Sequence, residues 1–114
     1  DIVVPNASSS NIGILFNIGN GTFLPQITYA TTSSPQHTVI TDVNGDNIPD
    51  IVVTLSTTVG IFLNAGNGTF LPEISYATGV GPHYVAAVDV NGDNKPDLIT
   101  TNYNSHTISV LLHV

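Results

Sequence analysis

A long internal repeat is the feature that most limits how this chain can fold. Residues 17–50 match residues 64–97 at a constant offset of 47 positions, and the hexapeptide Asn-Gly-Thr-Phe-Leu-Pro occurs in both copies. Three versions of one short apolar segment, at 1–4, 50–53 and 97–100, extend the repeat towards both ends. A period of this length is typical of solenoids, propellers and arrays, whose units bury their apolar faces against one another. The chain of 114 residues is therefore expected to be modular.

Apolar alternation and turn residues predict four short strands in each repeat, because β-branched residues cluster between segments rich in Gly, Pro, Asn and Asp. The first strand is expected at 39–42 and 85–89, the second at 2–4, 51–54 and 98–101, the third at 13–16, 61–63 and 109–112, and the fourth at 27–30 and 74–77. No segment has the apolar period of a helix. These ten strands predict an all-β fold, and four-stranded units at this spacing favour antiparallel β-propeller-type blades.

Two acidic segments, 42–50 and 89–97, have nearly the same sequence and lie between the predicted first and second strands. Each carries oxygen-bearing side chains at its positions one, three, five and nine, and the backbone carbonyl at position seven can join them. Ca²⁺ is a hard cation that takes six to eight oxygen ligands at about 2.3–2.6 Å, so this alternating pattern predicts a calcium loop. The predicted ligands are Asp42, Asn44, Asp46, the carbonyl of Ile48 and Asp50 in one loop, and Asp89, Asn91, Asp93, the carbonyl of Lys95 and Asp97 in the other.

An EF-hand loop begins in a similar way, but it needs a glutamate at position twelve and a helix on each side. Position twelve is Val53 in one copy and Thr100 in the other, and the flanking residues favour strands. The loops are therefore expected to join strands. An acidic hairpin turn without a metal is the plainer alternative, because Asp, Asn and Gly also favour turns.

The chain has eight acidic residues and one basic residue, and every acid except Glu73 belongs to one of these loops or is Asp1. Clustered carboxylates repel one another unless a cation neutralises them. Two Ca²⁺ ions, with four positive charges between them, would change the formal charge from −7 to −3. Because Lys95 is the only cation, nucleic acid is not an expected partner. No apolar run is long enough to predict insertion into a membrane.

These residues resemble FG-GAP/VCBS repeats, the family of integrin-α-type propellers. The resemblance rests on the two acidic loops and on Gly-Asn-Gly-Thr-Phe at 19–23 and 66–70, and it covers essentially the whole chain. It implies blades whose calcium loops join the first, inner strand to the second, and an extracellular role in adhesion or scaffolding. It also implies closed rings of about seven blades, and this chain has far fewer.

The strand order predicts about two and a half blades. Residues 1–31 are expected to form a partial blade that lacks its inner strand, residues 38–78 a full blade, and residues 84–114 a partial blade that lacks its outer strand. Joining the two ends would put six strands into a four-stranded blade, so simple ring closure is not expected. Uncapped blades expose apolar faces and strand edges.

Two functional classes fit this organisation. In the first, the chain is an extracellular calcium-binding structural module whose copies self-associate, or which stacks with further repeats, into a ring or filament. In the second, it is an adhesion or lectin-like recognition module that binds carbohydrate or protein at the propeller rim. The first is favoured, because the repeats differ little and no loop is enlarged into a distinctive binding surface.

Three Asn-X-Ser/Thr sequons begin at Asn6, Asn20 and Asn67. Each fits N-glycosylation on a surface loop of a secreted protein. Asn20 and Asn67 also begin Asn-Gly turns, which hairpins favour without any glycan. The sequons therefore agree with an extracellular location, while the turn explains two of them equally well.

The sequence shows no arrangement expected of an enzyme. It contains no Gly-X-Ser-X-Gly elbow and no phosphate-binding glycine loop, and its carboxylates cluster only in the predicted calcium loops. The chain is therefore predicted not to be an enzyme. Tyr29 and Tyr76 recur with the repeat and are expected to pack between blades, with a sugar-stacking platform as the alternative. The four histidines lack metal-ligand spacing and are expected at the surface.

Overall fold

The computed structural model describes residues 1–113 and consists of three antiparallel sheets. Their strands are β1 (Ile2–Asn6), β2 (Asn11–Leu15), β3 (Ile27–Ala30), β4 (Thr38–Thr41), β5 (Asp50–Thr54), β6 (Thr58–Phe62), β7 (Ile74–Ala77), β8 (Pro82–Val88), β9 (Asp97–Asn102) and β10 (Thr107–Leu111). The first blade is the sheet β1-β2-β3, the second is β4-β5-β6-β7 and the third is β8-β9-β10. The prediction of an all-β fold built from partial propeller blades is confirmed.

Neighbouring strands are joined in sequence, so each blade is a meander of hairpins. Two of the turns contain a short 3-10 helix, at Ala7–Ser9 and at Tyr103–Ser105, that the sequence did not predict. The residues that end these helices, Ser10 and His106, have φ angles of 50° and 54°. A single left-handed residue is enough to end the helix and redirect the chain into the next strand. Within residues 1–113, no helix is long and apolar enough to cross a membrane.

The strand that leads into the second acidic loop is longer than expected. It was predicted to begin at Val85, but β8 begins at Pro82 and contains a register shift between Pro82 and Tyr84. Such a bulge lets one strand carry an extra residue against its partner. Single-residue alternation cannot reveal it, because the bulge interrupts the period from which the strand is recognised.

Two apolar layers hold the three blades together. The first layer lies between the first and second blades and is formed by Ile12, Ile14, Ile51, Val53, Leu55 and Phe62. The second lies between the second and third blades and is formed by Val52, Val59, Ile61, Val85 and Leu98. Successive residues of β5 therefore contribute to opposite layers, as the two-residue period of a strand requires. All five residues of β5 are buried.

Candidate calcium loops

Both acidic loops occupy equivalent places in their blades. Residues 42–49 connect β4 to β5, and residues 89–96 connect β8 to β9. Each loop thus joins the first strand of its blade to the second. The loops also share their backbone conformation, because Gly45 and Gly92 both have a φ of 82° while Asn47 and Asn94 both have a φ of 64°. The left-handed φ explains why glycine and asparagine, which tolerate it best, stand at these two positions.

The first aspartate of each loop organises the backbone around it. One carboxylate oxygen of Asp42 accepts hydrogen bonds from the backbone N–H groups of Asn44 at 3.2 Å and Gly45 at 2.7 Å. The other accepts from the N–H of Asn47 at 2.8 Å. In the second loop, Asp89 accepts the equivalent bonds from Gly92 at 2.7 Å and Asn94 at 2.8 Å. Each loop is therefore wrapped around a carboxylate.

These hydrogen bonds lower the pKa of both aspartates. Desolvation raises the pKa of Asp42, but hydrogen bonds from four backbone N–H groups lower it by more, so the pKa lies below its ordinary value. The donors are Asn47, Gly45, Asn44 and Asp46. For Asp89, the N–H of Asn94 is the largest influence, and it lowers the pKa in the same direction. A carboxylate that accepts several N–H groups is stabilised in its charged form. Both side chains are thus held as anions, which is the form that binds a cation.

The third and fifth residues of each loop contact each other. The side-chain amide of Asn44 donates to one oxygen of Asp46 at 3.0 Å, and the N–H of Asp46 donates back to the Asn44 side-chain oxygen at 3.1 Å. The other Asp46 oxygen accepts from the N–H of Ile48 at 2.8 Å. In the second loop, Asn91 donates to Asp93 at 3.2 Å, and Asp93 accepts from the N–H of Lys95 at 2.9 Å.

The ninth residue of each loop has a structural task that the sequence did not reveal. Asp50 is fully buried, and its two oxygens accept the backbone N–H of Val43 at 2.9 Å and of Asn64 at 2.8 Å. Asp97 is equally buried and accepts from Val90 at 2.9 Å and His113 at 2.8 Å. One carboxylate thus ties the start of its loop and the end of the third strand to the second strand.

Asp1 makes the corresponding bond in the first blade. Its carboxylate accepts the N–H of Asn17 at 2.8 Å, which is the bond that Asp50 makes with Asn64. The pairing of an aspartate before the second strand with an asparagine after the third therefore recurs in the first two blades. That recurrence in the sequence was the signal that could have predicted the bond.

The donor set of each loop fits calcium by its chemistry. It consists only of carboxylate, amide and carbonyl oxygens, which hard divalent cations prefer over nitrogen or sulfur. Within residues 1–113, no three side chains of His, Cys, Asp or Glu lie close enough together to share a metal ion. The aspartate at the ninth position of each loop accepts two backbone N–H groups. Calcium binding by these loops stays a prediction.

The three sequons lie in different environments. Asn20 and Asn67 are exposed, and the side-chain oxygen of each accepts the backbone N–H and the hydroxyl of the threonine two residues later. Asn6 is half-buried, and its side-chain nitrogen donates to Asn11 at 2.8 Å. The same nitrogen also donates to Gln26 at 3.4 Å, and a glycan would leave it a single hydrogen for these two bonds. Asn20 and Asn67 are the more accessible acceptors.

Stacked antiparallel blades with matching acidic loops define a repeat module of the propeller type. The model of the FG-GAP-like repeat matches residues 1–53 and again residues 42–100. The chain belongs to the FG-GAP-like repeat family. Both matched segments contain residues 42–53, so the first acidic loop and most of β5 are shared between them. Searches of curated proteins and of solved structures give no match to this chain.

The buried aspartate should stabilise the blade without any metal. In Asp50→Asn, the side-chain NH₂ group cannot accept a backbone N–H, so one buried donor loses its partner, which costs about 1–3 kcal/mol. We expect urea unfolding in excess chelator to show this loss for Asp50→Asn. Asp46→Asn is the control, because residue 46 is exposed and its loss should change stability by less than about 0.5 kcal/mol. Equal stability of Asp50→Asn and the parent would contradict the structural role.

Proposed function

We propose that this chain is an extracellular calcium-binding structural module whose blades stack with further copies or repeats into a ring or filament. The observation that carries the proposal is the near identity of the two loops in ligand sequence, backbone conformation and internal hydrogen bonds. A turn that served only to reverse the chain would not need four oxygen-bearing side chains. Repetition of the whole set favours a shared ligand.

Calcium would act on the connection between the first two strands of a blade. Asp42, Asn44, Asp46 and the carbonyl of Ile48 would hold the ion in the first loop, with Asp89, Asn91, Asp93 and the carbonyl of Lys95 in the second. Each carboxylate oxygen has two acceptor positions. Asp50 and Asp97 can therefore keep their backbone bonds and still offer an oxygen. A bound ion would neutralise the loop and hold β4 against β5, and likewise β8 against β9.

Exposed apolar side chains on the third blade support stacking. Val59 and Ile61 of β6 are buried at 0% and 8% exposure, because the third blade covers them. The equivalent residues of β10, Ile108 and Val110, are 66% and 48% exposed. An apolar face of this kind is the type of surface that a neighbouring blade covers in repeat proteins. The partner of such a stack is therefore another copy or another repeat of this type.

Several features agree with an extracellular location. The sequons at Asn20 and Asn67 are exposed. Calcium binding itself would suit this location, since extracellular modules commonly use sites with dissociation constants of about 10⁻⁴–10⁻³ M. N-linked glycans at Asn20 and Asn67 would extend from turns that bury no side chains.

A second candidate function is recognition of carbohydrate at the rim. The rings of His83 and Tyr103 stack at a centroid distance of 5.0 Å with an interplanar angle of 18°, and Tyr103 is 67% exposed. Tyr84 lies beside them and contacts His37 at 5.0 Å. This surface lies at the end of the third blade opposite its acidic loop. Exposed aromatic faces beside hydroxyl and amide groups suit neutral sugars.

Calcium should stabilise the folded chain through both loops. At a free calcium concentration 100 times the dissociation constant, each site adds about 2.7 kcal/mol to the free energy of unfolding. We expect Asp46→Ala and Asp93→Ala each to lose one of two bound ions in isothermal titration calorimetry and to melt earlier than the parent in saturating calcium. In chelator, their melting temperatures should match the parent. Unchanged titrations for both variants would exclude the loops as calcium sites.

Assembly should depend on calcium and be visible directly. We expect rings or filaments by electron microscopy in calcium buffer and smaller species in chelator, since loosened blades would present an irregular surface. Sedimentation velocity over a range of concentrations gives the mass of each species. A compact monomer at every concentration in saturating calcium would refute self-association.

The recognition alternative makes a different prediction. A lectin should bind neutral glycans on an array, and Tyr103→Ala should abolish that binding while leaving calcium titration intact. Asp46→Ala provides the reverse control, because it alters a loop at the other end of a blade. Absence of glycan binding by a folded, calcium-loaded chain would remove this candidate.

A further inference from the structure

Asn-Gly dipeptides occur at four places in the chain, two in the turns before β3 and β7 and two in the acidic loops. They begin at Asn20, Asn67, Asn44 and Asn91. In an Asn-Gly dipeptide the glycine nitrogen can attack the side-chain amide carbon of the asparagine, because glycine has no side chain to hinder the approach. All four asparagines are exposed. Exposure alone therefore does not distinguish the four sites.

In the acidic loops, the first aspartate holds the glycine N–H that would have to react. The N–H of Gly45 donates to the Asp42 carboxylate at 2.7 Å, and the N–H of Gly92 donates to the Asp89 carboxylate at 2.7 Å. The glycine nitrogen must lose its proton before it can attack, and the resulting anion would face a negative carboxylate. Like charges at this separation repel each other. This arrangement opposes attack on the asparagines of the loops.

In the two turns, the glycine nitrogen is not held in this way. Within residues 1–113, the N–H groups of Gly21 and Gly68 donate to no acceptor. A Cβ built on either glycine would meet no atom within 4 Å, so the space beside each residue is open to water. Hydroxide can therefore remove the proton, and no hydrogen bond has to be broken first.

The side-chain carbonyl that would be attacked is polarised in the turns. The Oδ1 atom of Asn67 accepts the backbone N–H of Thr69 at 3.2 Å and also the Thr69 hydroxyl. The Oδ1 atom of Asn20 accepts the N–H of Thr22 at 3.1 Å and the hydroxyl of the same residue. Negative charge develops on Oδ1 when the nitrogen adds to Cγ, and donors that already point at this oxygen stabilise that charge.

The asparagines of the acidic loops lack the second donor, and their amide nitrogen is held. Among the described residues, Oδ1 of Asn44 accepts only the N–H of Asp46, and Oδ1 of Asn91 accepts only the N–H of Asp93, each at 3.1 Å. Their Nδ2 atoms donate to the carboxylates of the same aspartates at 3.0 and 3.2 Å. The nitrogen that would depart is thus bound to a carboxylate in both loops.

We propose that Asn20 and Asn67 are sites of intramolecular deamidation, and that the first aspartate of each acidic loop protects Asn44 and Asn91. At Asn67, the Gly68 nitrogen gives its proton to hydroxide and forms a bond to Cγ. The Cγ–Nδ2 bond then breaks, and the nitrogen takes a proton from water and leaves as ammonia. Water opens the cyclic imide at Cγ to give aspartate, or at the backbone carbonyl to give isoaspartate. The net reaction consumes one water and releases one ammonia, without oxidation or reduction.

The departing nitrogen is also the atom to which a glycan would be attached, because Asn20 and Asn67 begin sequons. Loss of ammonia removes the glycan acceptor, and a glycan attached first would have to depart together with the nitrogen. Thr22 and Thr69 complete the sequons and also donate to the reacting carbonyl. The inference does not rest on the proposed function, since the reaction needs neither a bound ion nor a neighbouring copy.

Deamidation of Asn67 would alter the end of the second blade that carries the acidic loop. The turn contacts this loop, because the Asn64 side-chain amide donates to the Pro49 carbonyl at 3.0 Å and a Cβ on Gly66 would lie 3.4 Å from Ile48. A new carboxylate adds one negative charge there, and isoaspartate also adds one carbon atom to the backbone. Conversion of both turns adds two charges and changes the formal charge from −7 to −9. Anion-exchange chromatography should therefore separate the converted chains.

Peptide mapping of the folded, unglycosylated chain tests the inference. The chain is incubated at mildly alkaline pH in chelator, so that bound calcium cannot supply the protection, and is then digested with pepsin in acid, which stops the reaction. Mass spectrometry gives the fraction of each asparagine that has exchanged NH₂ for OH. We expect Asn20 and Asn67 to convert at least about fivefold faster than Asn44 and Asn91, which is the factor that one hydrogen bond contributes.

The same incubation in urea is the control for the structural cause. Unfolding removes the hydrogen bonds and leaves four Asn-Gly dipeptides, so the four rates should become similar. A folded chain whose rates keep the ratios found in urea would overturn the inference. Faster conversion in the acidic loops than in the turns would overturn it as well.

Two variants separate the activating and protecting contacts. Thr69→Val keeps the branched shape and loses the hydroxyl, so Asn67 should convert about fivefold more slowly, and Thr69→Ser should restore the rate. Asn20 in the same molecule is the internal control and should not change. Failure of Thr69→Val to slow Asn67 would contradict the assigned role of the hydroxyl.

Asp42→Ala tests the protection. It frees the Gly45 N–H, so Asn44 should convert about fivefold faster, while Asn91 in the intact second loop stays slow. A variant that simply unfolds would accelerate Asn91 too, so the comparison within one molecule distinguishes the two cases. An unchanged rate at Asn44 in the folded variant would contradict protection by the aspartate.

Discussion

Burial of the second blade on both of its faces is the constraint on which this structure depends. A sheet with apolar residues on both faces has to be covered on both faces. Within β5, Ile51 and Val53 pack towards the first blade, and Val52 packs towards the third blade. Full burial of such a side chain contributes about 1.5–3 kcal/mol. Within residues 1–113, the first and third blades each have one neighbouring blade, and Ile108 and Val110 of β10 are 66% and 48% exposed. Stacking of blades is therefore the means by which this repeat gains a core.

The acidic loops are joined to that core by buried charge. Asp50 and Asp97 lie at the first position of a central strand, and each links three parts of its blade through two backbone hydrogen bonds. A buried carboxylate is costly unless it is well paired, and here two N–H groups satisfy it. The same residues are the last ligands of the predicted calcium loops. One aspartate in each loop would therefore both bind the ion and hold the blade together. We expect metal occupancy and blade stability to be coupled for this reason.

Departures from the repeat are as informative as its matches. Gly60 leaves room for the side chain of Glu73, which precedes the fourth strand and accepts the N–H of Thr32, whereas Ser109 stands in the place of Gly60 and accepts the N–H of Gly79. The Asn64 side chain accepts the N–H of Gly66 in the turn towards the fourth strand, whereas His113 stands in its place and its Nε2 lies 2.7 Å from the carbonyl oxygen of Val43. Tyr29 is covered by Phe70, whereas Tyr76 borders an open groove. The second and third blades therefore differ in the side chains that make equivalent contacts.

The sequence by itself determined the fold class and the repeating unit. Period-two alternation, Asn-Gly turns and the offset of 47 residues are local signals, and the strands that they predicted are present, with errors such as the early start of β8 confined to strand ends. The ligand types of the acidic loops were also readable, since they follow one another along the chain. Only the tertiary structure decided that Tyr29 contacts Phe70, because these residues are 41 positions apart and meet through the packing of whole strands.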